Sequence, residues 1–189
     1  GTGMFLSRIP AAWKDDVALH GTEIDPILGS VASLLHPDAK IDTTAFEKAK
    51  LPNDVFDLVV TNVPFDTFHP FDEETPQLSL SLHNFFIAKA LRKCRPGGTV
   101  AVITSAYTLD SKEEKVRRLF AKEADLIASV RLPNWAFKQT ANTEVSADVL
   151  IFRKRERDDM VPLAPDWIDS VLHEGALINK AMLDNEDGS

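Results

Sequence analysis

Short apolar runs alternate along the chain with segments whose apolar residues recur every three or four positions. The short runs predict strands, because strands buried on both faces are apolar throughout, and the periodic segments predict helices. The predicted strands cover residues 17–24, 40–43, 55–61, 99–104, 126–131 and 145–152. The predicted helices cover residues 26–35, 81–95 and 112–122, and a further helix starts within residues 4–14.

This alternation predicts an α/β fold with a mainly parallel sheet. Sheets of this kind bind ligands beyond the carboxyl ends of their strands. The segments with glycine, acidic or amide residues fall at those ends, namely residues 1–3, Glu23, Ala45–Phe46, residues 62–65 and the loop before Val145. A functional site is therefore expected along this edge of the sheet.

The regular pattern ends near Arg153, where a run of charged residues begins. Such a run is typical of a solvated linker. We therefore expect one domain over residues 1–155, and a linker or the start of a following region over residues 156–189. A glycine loop such as that of residues 1–3 normally follows a strand. We expect the first strand of the domain to precede the residues of this chain.

The single cysteine, Cys94, excludes an internal disulfide framework and favours a reducing, cytoplasmic setting. The five histidines share no metal-ligand spacing, so no metal site is predicted. No apolar run approaches the roughly 20 residues of a membrane-spanning helix, and no signal peptide is visible, so no membrane association is expected.

The net charge of −8 argues against a chain that holds nucleic acid mainly through its own phosphate contacts. Arg131, Lys138 and Arg117–Arg118 are candidate phosphate contacts, although ordinary surface charge explains each of them as well.

Gly1–Thr2–Gly3 and Glu23 form the first candidate site. Glycines let a backbone approach a ligand closely, and an acidic side chain about 20 residues later can accept hydrogen bonds from both ribose hydroxyls. A plain turn and a carboxylate that caps the helix after Asp25 are the structural alternatives. The spacing of the two features favours a cofactor that contains a nucleoside.

Asn62–Val63–Pro64–Phe65 forms the second candidate site. The Asn62 amide oxygen and the Val63 carbonyl, held rigid by Pro64, offer two acceptors that suit an exocyclic amine, and Phe65 can stack on a planar ring. These residues suit attack by an amine nitrogen on an electrophile without a covalent enzyme intermediate. They equally suit a turn after a strand with a core phenylalanine, and the four residues alone do not separate these interpretations.

The order of these segments resembles that of the S-adenosylmethionine-dependent amino-methyltransferases of DNA, specifically the N6-adenine group. The matching segments are Gly1–Phe5, Glu23–Asp25, Phe56–Phe65 and Arg95–Gly98. The chain looks most like the methylase domains of large helicase–methylase proteins of plasmids and phages, in which Asn-Val-Pro-Phe replaces the commoner Asn-Pro-Pro-Tyr/Phe. The resemblance covers roughly residues 1–155.

The resemblance implies a Rossmann-like methyltransferase fold with a twisted sheet, helices on both faces and S-adenosylmethionine as cofactor. In it, the glycine loop lies under the methionine part, Glu23 binds the ribose, and apolar residues flank the loop and the adenine. The implied cofactor residues are Gly1, Thr2, Gly3, Phe5, Glu23, Ile24 and Phe46. Many relatives have Asp at the position of Ala45, so here the contact to the adenine amine is lost or passes to Glu47.

The resemblance also implies the catalytic residues. Asn62 and the Val63 carbonyl accept hydrogen bonds from the target amine, with Pro64 completing the motif. Phe65 and Phe137 stack on the extruded base from two sides. Val63 replaces the first proline of the commoner motif, which is expected to loosen the loop slightly while keeping the carbonyl.

The implied activity is methylation of the N6 amine of adenine in DNA, within a larger restriction–modification or helicase–methylase protein. DNA would be held mainly by regions outside this chain, with helicase or nuclease modules in the same polypeptide. The alternatives are methylation of another planar NH2 group (cytosine N4, an RNA base or a protein glutamine) and a non-catalytic binding module.

Overall fold

A computed structural model describes residues 1–64, 66, 68–71, 73–74, 79–133, 135–136, 146–156, 160–161 and 165–183. The chain divides into two compact units. Unit 1 consists of residues 1–51 and 70–79, and unit 2 consists of residues 52–69 and 80–189.

Within the described residues, strands and helices alternate largely as predicted. The strands are β1 (Leu19–Glu23), β2 (Ala39–Thr43), β3 (Phe56–Asn62), β4 (Cys94–Ser105), β5 (Ala124–Arg131), β6 (Ala147–Lys154), β7 (Ser170–His173) and β8 (Ala176–Asn179). The α-helices are α1 (Pro26–Leu35), α2 (Leu82–Lys93), α3 (Tyr107–Asp110), α4 (Lys115–Glu123) and α5 (Lys180–Leu183). Single 3-10 turns cover Leu6–Arg8, Ala11–Trp13, Phe46–Lys48 and Asp166–Ile168. The helix expected within residues 4–14 is thus two separate 3-10 turns.

Unit 1 contains a parallel β1–β2 pair joined by α1. The helix begins where the sequence predicts it, because Asp25 Oδ1 accepts hydrogen bonds from the backbone N–H groups of Ile27 (2.8 Å) and Leu28 (3.0 Å). A Cβ at Gly29 would lie 2.6 Å from Thr43 Oγ1. The absence of a side chain at this position lets α1 pack closely on the end of β2.

Unit 2 contains a four-stranded sheet in the order β3–β4–β6–β5. β3 and β4 are parallel, as predicted, whereas β6 is antiparallel to both β4 and β5. β6 follows β5 in sequence and lies beside it with the chain direction reversed. The sheet is therefore mixed at this edge. β7 and β8 form a separate antiparallel pair.

The core of unit 2 lies on one face of the four-stranded sheet. It includes Val100 and Val102 from β4, Leu150 and Phe152 from β6, Ile87 and Leu91 from α2, and Phe120 from α4. Every helix described in unit 2 contributes a residue to this core. The opposite face leaves Leu58 51% and Val60 39% exposed, so the described helices of unit 2 form one layer only.

Residues 165–183 add Trp167, Ile168 and Met182 to the same core. The Phe152 ring packs edge-to-face against Phe120 and Trp167, with centroid separations of 6.2 and 6.0 Å. The domain boundary expected at residue 155 stays a prediction from the sequence.

Replacing Phe152 by Ala should lower the free energy of opening of β4 and β6 by about 3–5 kcal/mol, because a fully buried ring is lost from the core. Backbone amide hydrogen exchange of the full-length protein measures this change in the strands themselves. Leu58→Ala, on the exposed face, should cost less than about 1 kcal/mol. Equal losses for the two variants would contradict this location of the core.

Candidate active site

The glycine segment and Glu23 are adjacent in unit 1. The backbone nitrogen of Gly1 contacts Glu23 Oε2, and the Asp25 backbone N–H donates to Glu23 Oε1 at 2.8 Å. Asp25, not Glu23, caps α1 with its side chain. Glu23 therefore contacts the backbone of the N-cap residue, its carboxylate lies beside the glycine segment at the carboxyl end of β1, and its role stays a prediction.

The two glycines differ in what the backbone requires. Gly3 has a φ of +82°, and a Cβ there would lie 2.7 Å from the His36 ring. A side chain at this position would meet both a strained backbone and a steric clash. Among the described residues, no atom lies within 4 Å of the place where a Cβ of Gly1 would be.

The apolar residues assigned to the cofactor follow strand ends or the glycine segment. Ile24 directly follows β1 and is 69% exposed, and Phe5, which is 45% exposed, precedes the first 3-10 turn. Phe46 begins the 3-10 turn after β2 and, like Thr2, is partly buried. Exposed apolar surface at Ile24 and Phe5 has the accessibility that contact with a base or a thioether needs.

The second candidate site begins at the end of β3 in unit 2. Asn62 is the last residue of β3 and is exposed. Val63 is buried, and its backbone N–H donates to the Ile103 carbonyl of β4 at 2.9 Å. Proline has no N–H group, so valine supplies an anchor that the commoner motif lacks. This hydrogen bond counters the loosening expected from the substitution. Pro64 is exposed, and Phe65 lies outside the described residues.

Phe137 and Lys138 also lie outside the described residues, but the chain on both sides of them is described. The Leu132 N–H donates to the Ala147 carbonyl at 2.8 Å, and the Ala106 N–H donates to the Ser146 carbonyl at 3.0 Å. Both ends of the segment are thus attached to each other and to the end of β4.

Arg131 is not the free phosphate contact that the sequence allowed. Its guanidinium pairs with Asp148, which is fully buried, and with Asp110. Burial raises the pKa of Asp148, while the hydrogen bonds from Arg131 act in the opposite direction. The sequence analysis missed this cluster. The available signal was Asp148 itself, because a charge inside an apolar strand needs a partner.

Arg117 and Arg118, the other described candidates, also have protein partners. Arg117 is buried and donates to the carbonyls of Ile168 (2.6 Å) and Ser111 (2.7 Å). Arg118 forms an exposed ion pair with Glu114.

Within the described ranges, no group of three or more His, Cys, Asp or Glu residues could hold a metal ion. Within those same ranges, no helix is long and apolar enough to span a membrane. Cys94 is buried, and this burial raises the pKa of its thiol.

Three known structures resemble this fold. A protein from Listeria monocytogenes described as a class I S-adenosylmethionine-dependent methyltransferase has a TM-score of 0.63 and 22% identity, covering 79% of this chain and 48% of its own. A protein described as a type I restriction enzyme modification subunit from Vibrio vulnificus YJ016 has a TM-score of 0.59 and 23% identity, covering 71% and 32%. The M protein of the type I restriction enzyme EcoKI has a TM-score of 0.57 and 21% identity, covering 83% and 36%. The predicted Rossmann-like methyltransferase fold is confirmed.

Two sequence similarities identify the family of this chain. The defense against restriction protein B of Escherichia phage P1 is 31% identical over 175 residues, which covers 86% of this chain and 7% of the phage protein. The chain therefore spans a small part of that relative and less than half of each of the three structures. The model of the family described as N-6 DNA Methylase matches residues 14–165. The chain belongs to the N-6 DNA methylase family.

Proposed function

We propose that the chain is the catalytic domain of an enzyme that transfers a methyl group from S-adenosylmethionine to the N6 amine of adenine in DNA. The observation that carries the proposal is the position of Asn62 and Val63. In a chain of this family, an exposed amide ends β3, and the next residue is anchored to β4 by its N–H. In this arrangement, the Asn62 amide oxygen and the Val63 carbonyl suit the role of two fixed hydrogen-bond acceptors for an amine.

The residues of unit 1 fit the nucleoside part of such a cofactor. The Glu23 carboxylate offers acceptors for ribose hydroxyls beside the glycine segment, and Ile24, the next residue, is exposed. When bound, S-adenosylmethionine supplies an electrophilic methyl group on a sulfonium sulfur. The polar contact that Asp makes at the position of Ala45 in many relatives is absent from this set.

Asn62 Oδ1 and the Val63 carbonyl accept the two hydrogens of the target amine. Both acceptors would then orient the lone pair of the nitrogen and stabilise the positive charge that grows on it as the N–C bond forms and the bond from the methyl carbon to the sulfonium sulfur breaks, with a neutral thioether as the leaving group. Positioning supplies much of the rate, so no strong general base is required, and one amine proton is released late to solvent. Phe65 and Phe137, outside the described residues, stack on the extruded adenine.

The proposal includes a larger protein that holds DNA mainly through regions outside this chain. The net charge of −8 supports this division. Restriction–modification or helicase–methylase proteins with helicase or nuclease modules are the expected setting, and the names of the phage protein and the modification subunits support the first of these. A DNA substrate is consistent with a cytoplasmic location.

Asn62→Ala in the full-length protein should lower kcat by about 10²–10³-fold, because one acceptor of the developing charge is lost. The affinity for S-adenosylmethionine should stay within about twofold. Labelled cofactor and mixed DNA, followed by mass spectrometry of the nucleosides, measure the product. Glu113→Ala, at an exposed residue of unit 2, is the control and should methylate normally.

Turnover by Asn62→Ala at the rate of the unaltered protein would remove Asn62 from the reaction. N4-methylcytosine as the product would identify cytosine as the substrate. Cofactor binding without any modified nucleoside would favour RNA or a protein amide. Absence of both binding and product would favour the non-catalytic module.

Glu23→Gln should raise the Kd for S-adenosylmethionine about 10–100-fold, because hydrogen bonds to a charged acceptor contribute about 1.5–3 kcal/mol. At saturating cofactor, kcat should change little, since Glu23 does not touch the reacting nitrogen. Isothermal titration calorimetry measures the affinity, and Glu113→Gln is the matched control. An unchanged Kd would leave Glu23 with a structural role only.

A further inference from the structure

Three charged side chains form a polar cluster where β5 ends and β6 begins. Arg131 Nε donates to Asp148 Oδ1 at 2.7 Å, and Arg131 Nη2 donates to Asp148 Oδ2 at 3.0 Å. Arg131 Nη2 also lies 2.8 Å from Asp110 Oδ2, which belongs to α3. The Asp148 side chain is 0% exposed and that of Arg131 is 32% exposed, so the carboxylate of the two-pronged pair is the partner shielded from water.

Asn179 extends the cluster to the C-terminal part of unit 2. Its backbone N–H donates to Asp110 Oδ1 at 2.9 Å, and its buried side-chain amide donates to the carbonyls of Leu109 (3.1 Å) and Trp167 (2.9 Å). Asn179 Oδ1 accepts from the Ala181 N–H at 3.0 Å. The cluster therefore connects β5, β6 and α3 with the ends of the segment 167–181.

The cluster lies beside the attachment of the segment that contains Phe137. Arg131 is the last residue of β5, and Asp148 is the second residue of β6. Between them, the Leu132 N–H donates to the Ala147 carbonyl. The carbonyl of the neighbouring Ser146 accepts from the Ala106 N–H. Ala106 lies three residues after Ile103, and the Ile103 carbonyl accepts from the Val63 N–H. A short stretch of chain at the end of β4 thus joins this attachment to the catalytic motif.

Stability alone does not explain such a cluster, because well-packed apolar residues often replace a buried ion pair without loss of stability. A two-pronged Arg–carboxylate pair instead restricts direction and register, which apolar packing does not. In this chain the restricted elements are the strand ends on either side of residues 132–146.

We propose that Arg131, Asp148, Asp110 and Asn179 are positioning residues for the methyl transfer. They hold residues 131–132 and 146–148 in a fixed register with β4, and therefore with Asn62 and Val63. None of the four touches the substrate. The inference rests on the proposed function, because its effect is the alignment of the target base with the amine acceptors.

The test uses the full-length protein with Arg131→Met combined with Asp148→Leu, which removes the two-pronged pair and preserves volume, while Asp110 keeps the Asn179 N–H as a partner. The thermal midpoint and the Kd for S-adenosylmethionine should remain close to those of the unaltered protein. Under single-turnover conditions, methylation of DNA should fall about 10–100-fold, as expected for a reacting group misplaced by about 1 Å. Arg153→Met, which removes a partly exposed ion pair with Asp125 at the other end of β6, is the matched control and should not change the rate.

If the double variant does not fold, Arg131→Lys, which keeps the positive charge, tests the positioning role instead. A single ammonium cannot reproduce the two-pronged pair, so the rate should again fall, by about tenfold, at unchanged cofactor affinity. A normal methylation rate in a folded variant, or a parallel loss of cofactor affinity and rate, would overturn the positioning role. Absence of N6-methyladenine with the unaltered protein would instead overturn the proposed function itself.

Discussion

The parallel pairing of β3 with β4 is the constraint on which the catalytic part of this chain depends. β4 is paired on both sides, with β3 and with β6, and its Val100 and Val102 lie in the core. Parallel strands end at the same edge, so Asn62 and the segment that starts at Ile103 emerge together. The Val63 N–H extends this pairing by one residue beyond β3. The backbone of the motif is thus fixed by a strand that is itself buried.

In unit 1, residues are likewise brought together at the ends of parallel strands, here in a two-stranded sheet. β1 and β2 are parallel and end together, which brings Glu23 level with Thr43, close to the turn at Phe46. Gly3 and Gly29 remove side chains where the backbone passes His36 and Thr43. This unit thus places the Glu23 carboxylate beside the glycine segment, at the carboxyl end of β1.

Local patterns predicted the parts of the fold that local physics determines. Asp25 and Pro26 located the start of α1, because an N-cap acceptor and a residue without an N–H suit the first turn. The apolar runs located β3 and β4. The position of β6 between β4 and β5 depends on pairing between distant residues, and periodicity carries no information about such partners. The packing of Trp167 into the core was missed for the same reason.

The candidate site was predictable to a similar degree. Glu23 and the glycine segment were paired by their spacing and are adjacent, whereas nothing local to Arg131 indicated its contact with Asp148, 17 residues away. Charge counting treats every arginine as available to a partner. A buried carboxylate lowers the number of arginines available to a partner molecule, because it needs a positively charged side chain of the same chain as its own partner.

This redistribution of charge bears on how DNA would be held. Arg117 and Arg155 are buried, and Arg131 is bound to Asp148 and Asp110. Arg155 also pairs with Asp125. The basic side chains available for phosphates are therefore fewer than the 21 Lys and Arg residues of the sequence, and their pairing with Asp110, Asp125 and Asp148 leaves the net charge of −8 unchanged. Phosphate contacts contribute most of non-specific DNA affinity. The small number of basic side chains available for phosphate contacts supports the proposal that the chain orients a base for the reaction while other regions provide most of the DNA affinity.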